Sequence, residues 1–192
     1  MKRKIISVLP LLILFSYTVI YAHDNIIVHP AITEIAVGKS NIDQYIKDNL
    51  NLKNGLKTTL QPVGNQTVLY LLSKGSIDED IPLCRAGNHF HDPLKSWDAA
   101  AMCDSPWWIN TYCIFWSPYY SDVTWATGFT APTSTPIPYN PGNEKSPNMW
   151  ANARSLYLSA LTATNQNTRE NNFAQMFTAL GQVLHLIQEV VS

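Results

Sequence analysis

The amino-acid sequence predicts an all-α domain broken by one long irregular segment, and three observations carry that expectation. Between Phe173 and Ser192 the residues Phe173, Met176, Phe177, Leu180, Val183, Leu184, Ile187, Val190 and Val191 recur at helical period and make a wide apolar surface, as a buried helix requires. No stretch alternates convincingly at the period of two that a half-buried strand needs. From Ser105 to Pro147, clusters of Pro, Ser and Thr alternate with Trp107, Trp108, Tyr112, Phe115, Trp116, Tyr119, Tyr120, Trp125, Phe129 and Tyr139, which disfavours regular helix across the insertion, residues 105–148.

The chain opens on Lys2, Arg3 and Lys4, followed by an apolar run from Ile5 to Ile20 that ends near Tyr21-Ala22. A charged start, a short apolar core and a small residue are the three parts of a secretory signal peptide. Residues 1–22 are therefore expected to be removed after Ala22, which places the mature chain outside the cell or in the periplasm. Residues 23–192 then suffice for a single domain with its own core. The whole chain has 13 Lys+Arg and 14 Asp+Glu. Without the three basic leader residues the balance is 10 against 14, a net charge of −4, which gives no indication of nucleic-acid binding. Export also places Cys84, Cys103 and Cys113 where disulfides persist. Any two of the three can pair, and an odd count leaves one over.

The helices follow in order. His29-Pro30 leads into a first helix with Ile32, Ile35 and Ala36 on one face, interrupted at Gly38. A second spans Ile42 to Leu50. Thr58 to Gly64 reads as a connection, and Val68 to Ser73 as a compact buried helix closed by Gly75. An acidic turn, Asp78-Glu79-Asp80, precedes the dense segment Cys84 to Asp98. Helical pattern returns from Met149 to Ala163, and a polar turn, Thr164 to Thr168, leads into the last helix.

Through that last helix runs a narrow polar stripe, Thr178, Gln182, His185 and Glu189, at steps of four, three and four. Burying an imidazole and a carboxylate one turn apart costs several kcal/mol unless they find hydrogen bonds, an ion pair or a metal. Upstream, Asn88-His89-Phe90-His91-Asp92-Pro93 groups further potential ligands about a dozen residues after the acidic turn. Zinc takes His nitrogen and carboxylate oxygen, and draws such ligands from separate segments. The acidic turn is either a ligand source or a solvated helix end. His91 is expected to form a loop hydrogen bond with Asp92.

Asn88 to Pro93 resembles the HF(Y/H)DP motif of the bacterial zinc-dependent phospholipase C superfamily, which also contains the single-strand-specific zinc nucleases. Ala179 to Glu189 resembles that family's helix with ligands in H-x-x-x-D/E spacing, and His29 with Ile32, Thr33 and Ala36 resembles its early H-x-x-I-x-x-A helix. The resemblance implies an all-helical domain of the zinc-dependent phospholipase C type whose cleft holds two to three zinc ions. In that pattern His89, His185, Glu189 and one acidic residue of the turn, Asp78, Glu79 or foremost Asp80, hold the first ion. His29 holds the second, and Glu189 bridges to the first. Cleavage after Ala22 would offer His23 where family members present an aromatic N-terminal residue. Metal-activated water would attack the phosphodiester, with no protein nucleophile. The implied substrate is a phospholipid or another phosphodiester, with possible peripheral membrane contact. A single-strand-specific nuclease is the alternative of the same superfamily.

The family continues past this helix to further ligands of a third zinc, whereas Ser192 follows Glu189 by three residues. The sequence therefore leads one to expect a C-terminally truncated copy, and an inactive exported remnant is the alternative of a different class. The rings of the aromatic insertion are expected to pack down on the helices rather than to form a lipid-contacting lid.

Overall fold

The computed structural model describes residues 26–61, 64–81, 83–101, 119–140, 143 and 146–190. The expected leader, His23, Cys103, Cys113 and the insertion residues Trp107, Trp108, Tyr112, Phe115 and Trp116 lie outside the described residues. Cys84 is disulfide-bonded.

The described chain is mostly helical, as the apolar periodicity predicts. Helix α1 spans Val28–Lys39 and α2 spans Ile42–Asn49. Gly38 does not interrupt α1. A helical glycine costs only about 1 kcal/mol relative to alanine, and the Ser40 N–H closes the helix on the Ala36 and Val37 carbonyls. The expected connection after Thr58 contains a small antiparallel hairpin, β1 (Thr59–Leu60) and β2 (Gln66–Thr67), with Thr59 opposite Thr67 and Leu60 opposite Gln66. Strands of two residues are too short to display alternation.

Helix α3, Val68–Asp78, starts where the Thr67 hydroxyl accepts the Tyr70 N–H at 3.2 Å. It also runs straight through Gly75, the glycine at which the sequence predicts its end. Two 3₁₀ segments follow, at Leu83–Asn88 and Trp97–Ala99. The insertion is not wholly irregular: α4, Asp122–Thr127, is capped by Ser121 and closed by Gly128 at φ 76°. Helix α5 spans Met149–Thr162, with the Asn148 side chain as its N-cap. Helix α6 spans Gln166–Val190 and begins seven residues before its first apolar anchor, Phe173. The Asn165 side chain accepts the Thr168 N–H at 2.8 Å, so the polar turn expected over 164–168 is mostly the first turn of α6.

Helix α6 packs along both α3 and α5, and α1 lies across α3. Val37, Ile46, Leu56, Leu60, Leu71, Leu72, Phe173 and Phe177 are among the buried residues between them. The α3–α6 crossing is set by two glycines. A Cβ on Gly75 would stand 2.0 Å from the Thr178 carbonyl oxygen, and one on Gly181 would stand 2.1 Å from that of Leu72. Backbones this close leave room for no side chain. Beyond the crossing, the apolar face of α6 is only partly covered: Val183, Leu184 and Ile187 line an open apolar groove against Ala36 and Val37, with Ile187 53 % exposed. Among the described residues no helix is long and apolar enough to cross a membrane.

Candidate metal centre

The crossing at Gly75 and Gly181 brings the end of α3 against the last turns of α6. His185 is fully buried there, and its Nδ1–H donates to the Ser76 carbonyl at 2.7 Å. That bond fixes the tautomer, so the His185 Nε2 lone pair faces the other way. Three groups surround it: His89 Nδ1 at 3.3 Å, Asp80 Oδ1 at 3.8 Å and Glu189 Oε1 at 3.8 Å. His89 Nδ1 and Asp80 Oδ1 are 3.4 Å apart. Glu189 Oε1 in turn lies 2.9 Å from His29 Nε2. The Nδ1–H of His29 donates to Gln188 Oε1 at 2.9 Å, and Gln188 Nε2 donates to the Thr33 hydroxyl at 2.9 Å.

Five side chains from four segments of the chain thus form one continuous cluster. They are His29, Asp80, His89, His185 and Glu189, the residues that the sequence motifs single out. They divide into two overlapping sets, His29/His185/Glu189 and Asp80/His89/His185, with the ligand atoms of each set within 4.8 Å of one another. The family pattern assigns His185 to one ion only, whereas here its Nε2 lies within reach of both sets. Zinc bonds of about 2.0–2.1 Å in tetrahedral arrangement put neighbouring ligand atoms about 3.3–3.4 Å apart. The His185–His89 and His89–Asp80 separations match that edge and the His185–Asp80 separation, 3.8 Å, exceeds it by a few tenths, so Asp80, His89 and His185 form a group that could hold such an ion after a small adjustment.

Electrostatics point the same way. Burial holds the His89 imidazole well below its ordinary pKa, and the neighbouring His185 adds to the effect. Burial also brings His185 down to about 4. Both are therefore neutral and able to donate lone pairs near neutral pH. For His29 burial also pulls downward, but the hydrogen bonds to Glu189 and Gln188 outweigh it and its pKa is raised. Two neutral imidazoles thus stand beside the carboxylates of Asp80 and Glu189, a neutral-nitrogen and anionic-oxygen set suited to a divalent cation.

The acidic turn resolves into three different fates. Asp78 pairs with Lys74 across one helical turn. Glu79 is not part of a solvated helix end: it has no exposure at all. Its carboxylate accepts from Arg85 Nη2 at 2.5 Å and from Trp125 Nε1 at 2.6 Å, while Arg85 Nε donates to the Glu79 carbonyl at 3.1 Å. The guanidinium lies 5.2 Å from the centre of the Trp125 ring. Burial still raises the Glu79 pKa, against the pull of Arg85 and Trp125. Asp80 alone of the three reaches the histidines through its carboxylate at hydrogen-bond range. Glu79 instead backs His89, whose Nε2 is 4.0 Å away.

The expected bond between His91 and Asp92 does not form. His91 Nδ1 faces Asp122 at 3.9 Å, across the start of α4, and Asp92 accepts from the Leu94 N–H at 3.0 Å and from Lys95. Trp125 comes from the aromatic insertion and is buried, as the packed-down reading of those rings expects. Arg85, Trp125, Gln188 and the Ser76 carbonyl are partners that no sequence motif announces. Arg85 lies inside the dense segment after the acidic turn, but nothing in its neighbours marks it as a partner of Glu79. No family model, characterised protein or solved structure matches the chain, so its function has to be read from this geometry.

Proposed function

We propose that the chain is a secreted zinc-dependent phosphodiesterase of the phospholipase C type. The observation that carries the reading is the cluster itself, two overlapping ligand sets that share His185, with Glu189 Oε1 placed between His29 and His185. Zinc ions held together lower the pKa of bound water, neutralise phosphate oxygens and steady a leaving oxygen. The protein's part is to hold the ligands. Ser76 and Gln188 orient His185 and His29 through their Nδ1 atoms, and the Glu79–Arg85–Trp125 group supports the segment that carries His89. With no side-chain nucleophile in this scheme, the protein has to exclude competing ligands and keep the His89 and His185 imidazoles unprotonated.

Zinc stoichiometry after exhaustive dialysis tests the reading on the chain from residue 23 onward. About two ions per folded chain are expected, with hydrolysis of phosphatidylcholine or another phosphodiester. His185→Ala should lower zinc content by about one ion, because its single Nε2 lone pair serves one ion at a time, and the milder Asp80→Asn should lower it in the same direction. A folded protein that retains no zinc, or variants that retain all of it, would overturn the assignment.

A further inference from the structure

The polar stripe of α6 does not end at the metal centre. Gln182 precedes His185 by three residues, a rise of about 4.5 Å along the helix, and with Thr178 it faces a separate cavity of about 520 Å³ between α3, α5 and α6. Six side chains give this cavity its chemistry: Gln66, Tyr139, Asn152, Ser155, Gln175 and Gln182. Five of these, all but Tyr139, make no side-chain hydrogen bond among the described residues. The amides of Gln66, Asn152, Gln175 and Gln182 thus border one solvent-open space with donors and acceptors that a ligand can take over from water. The one charged side chain in the wall, Lys74, is neutralised by Asp78. Leu71, Leu156 and Ala174 form an apolar floor. Burial raises the Tyr139 pKa, against the pull of the Arg85 charge.

We propose that this cavity binds a neutral, polyhydroxylated ring, an inositol or a sugar, through the free amides of Asn152, Gln175 and Gln182. Carboxamides both donate and accept, and so match vicinal hydroxyls that do the same. A hydrocarbon would leave those amides unpaired, and an anion would find no free cation among the described residues of the wall. An apolar floor with a few convergent polar groups is the usual construction of a small-ligand site. That the ring belongs to the substrate, esterified to the phosphate, rests on the phosphodiesterase reading. The affinity of the cavity for a polyol does not.

The experiment titrates myo-inositol and methyl β-D-glucoside into the zinc-loaded chain and follows ligand binding by saturation-transfer NMR, with octanoate as the apolar anionic control. Saturable binding of at least one ring compound, and none of octanoate, is expected. Gln182→Leu should weaken it at least tenfold with zinc content unchanged. Gln175→Leu, at an exposed position with little bearing on folding, should act in the same direction. No saturable binding of either ring, or equal affinity in both variants, would overturn the proposal. The two readings separate cleanly. Ring binding that persists in zinc-depleted His185→Ala leaves the cavity site standing without the metal centre, and full zinc content without ring binding removes the cavity site alone.

Discussion

At the scale of single residues, the most consequential contact is one that supports the site rather than forming it. Glu79 has no exposure and two charge-assisted or polar partners, Arg85 and Trp125. Replacing Arg85 by Met leaves a carboxylate buried without its cation, so chemical denaturation should show a loss of about 3–5 kcal/mol. Trp125→Phe removes one hydrogen bond and keeps the ring, and should cost about 1–3 kcal/mol. Equal costs would mean that the indole hydrogen bond matters as much here as the guanidinium charge. The histidines supply a pH dependence. His185 titrates at about 4 when folded and near 6.5 when unfolded, so the unfolded chain binds the proton more readily. In the metal-free protein, stability is therefore lost as pH falls from 6.5 towards 4, by about 3 kcal/mol from this residue. His89 acts in the same direction. His29 acts oppositely, because its raised pKa stabilises the folded state below 6.5 and that contribution fades as pH rises through the folded value. Denaturation of the metal-free chain between pH 7 and 4 should show a shallower acid loss for His185→Asn than for the parent. Parallel curves would sink the assignment of His185 as a neutral buried imidazole.

At the scale of elements, three glycines with the same sequence appearance behave differently. Gly38 sits in α1 where an added Cβ would meet nothing within 4 Å, so Gly38→Ala should raise stability by about 0.5–1 kcal/mol through backbone entropy. Cβ atoms on Gly75 and Gly181 would meet backbone carbonyls at 2.0 and 2.1 Å, where nothing flexible can give way. Alanine at either should cost about 1–3 kcal/mol or more by forcing α3 and α6 apart. Because His185 reaches the Ser76 carbonyl across this same crossing, the substitution should also reduce zinc retention at temperatures where the chain stays folded. Thermal denaturation of the three variants, with zinc content measured in parallel, checks both statements. A helical period identifies the face on which a glycine lies, but not whether another backbone passes there. For that reason the sequence predicts an interruption at Gly38 and a helix end at Gly75, and neither forms.

At the scale of the whole molecule, the ligands come from α1, the turn after α3, the bend that follows the first 3₁₀ segment and α6, so a bound ion ties together the folded chain and has little to hold in the unfolded one. Zinc at a hundredfold excess over its dissociation constant should add about 2.7 kcal/mol. The melting temperature should rise accordingly with zinc and hardly at all with magnesium, which prefers oxygen ligands and gives up its water reluctantly. Asp80→Asn should reduce the zinc-induced rise. An equal rise with magnesium would point to a carboxylate-only site and against the three histidines.

The helical period, the absence of sustained alternation and the order of the His and carboxylate motifs are legible in the chain because each is a local pattern, readable within a few turns. They determined the mostly helical fold, and the resemblance they carry pointed to His29, His89, His185, Glu189 and one residue of the acidic turn, foremost Asp80. The tertiary structure decided the rest. It separated Asp80 from Asp78 and Glu79, placed His185 in both ligand sets, and supplied Gln188 to a histidine 159 residues away and Trp125 to a carboxylate 46 residues away. Such pairings depend on which helix surfaces meet and how closely, and here two bare glycine backbones at the α3–α6 crossing set that distance.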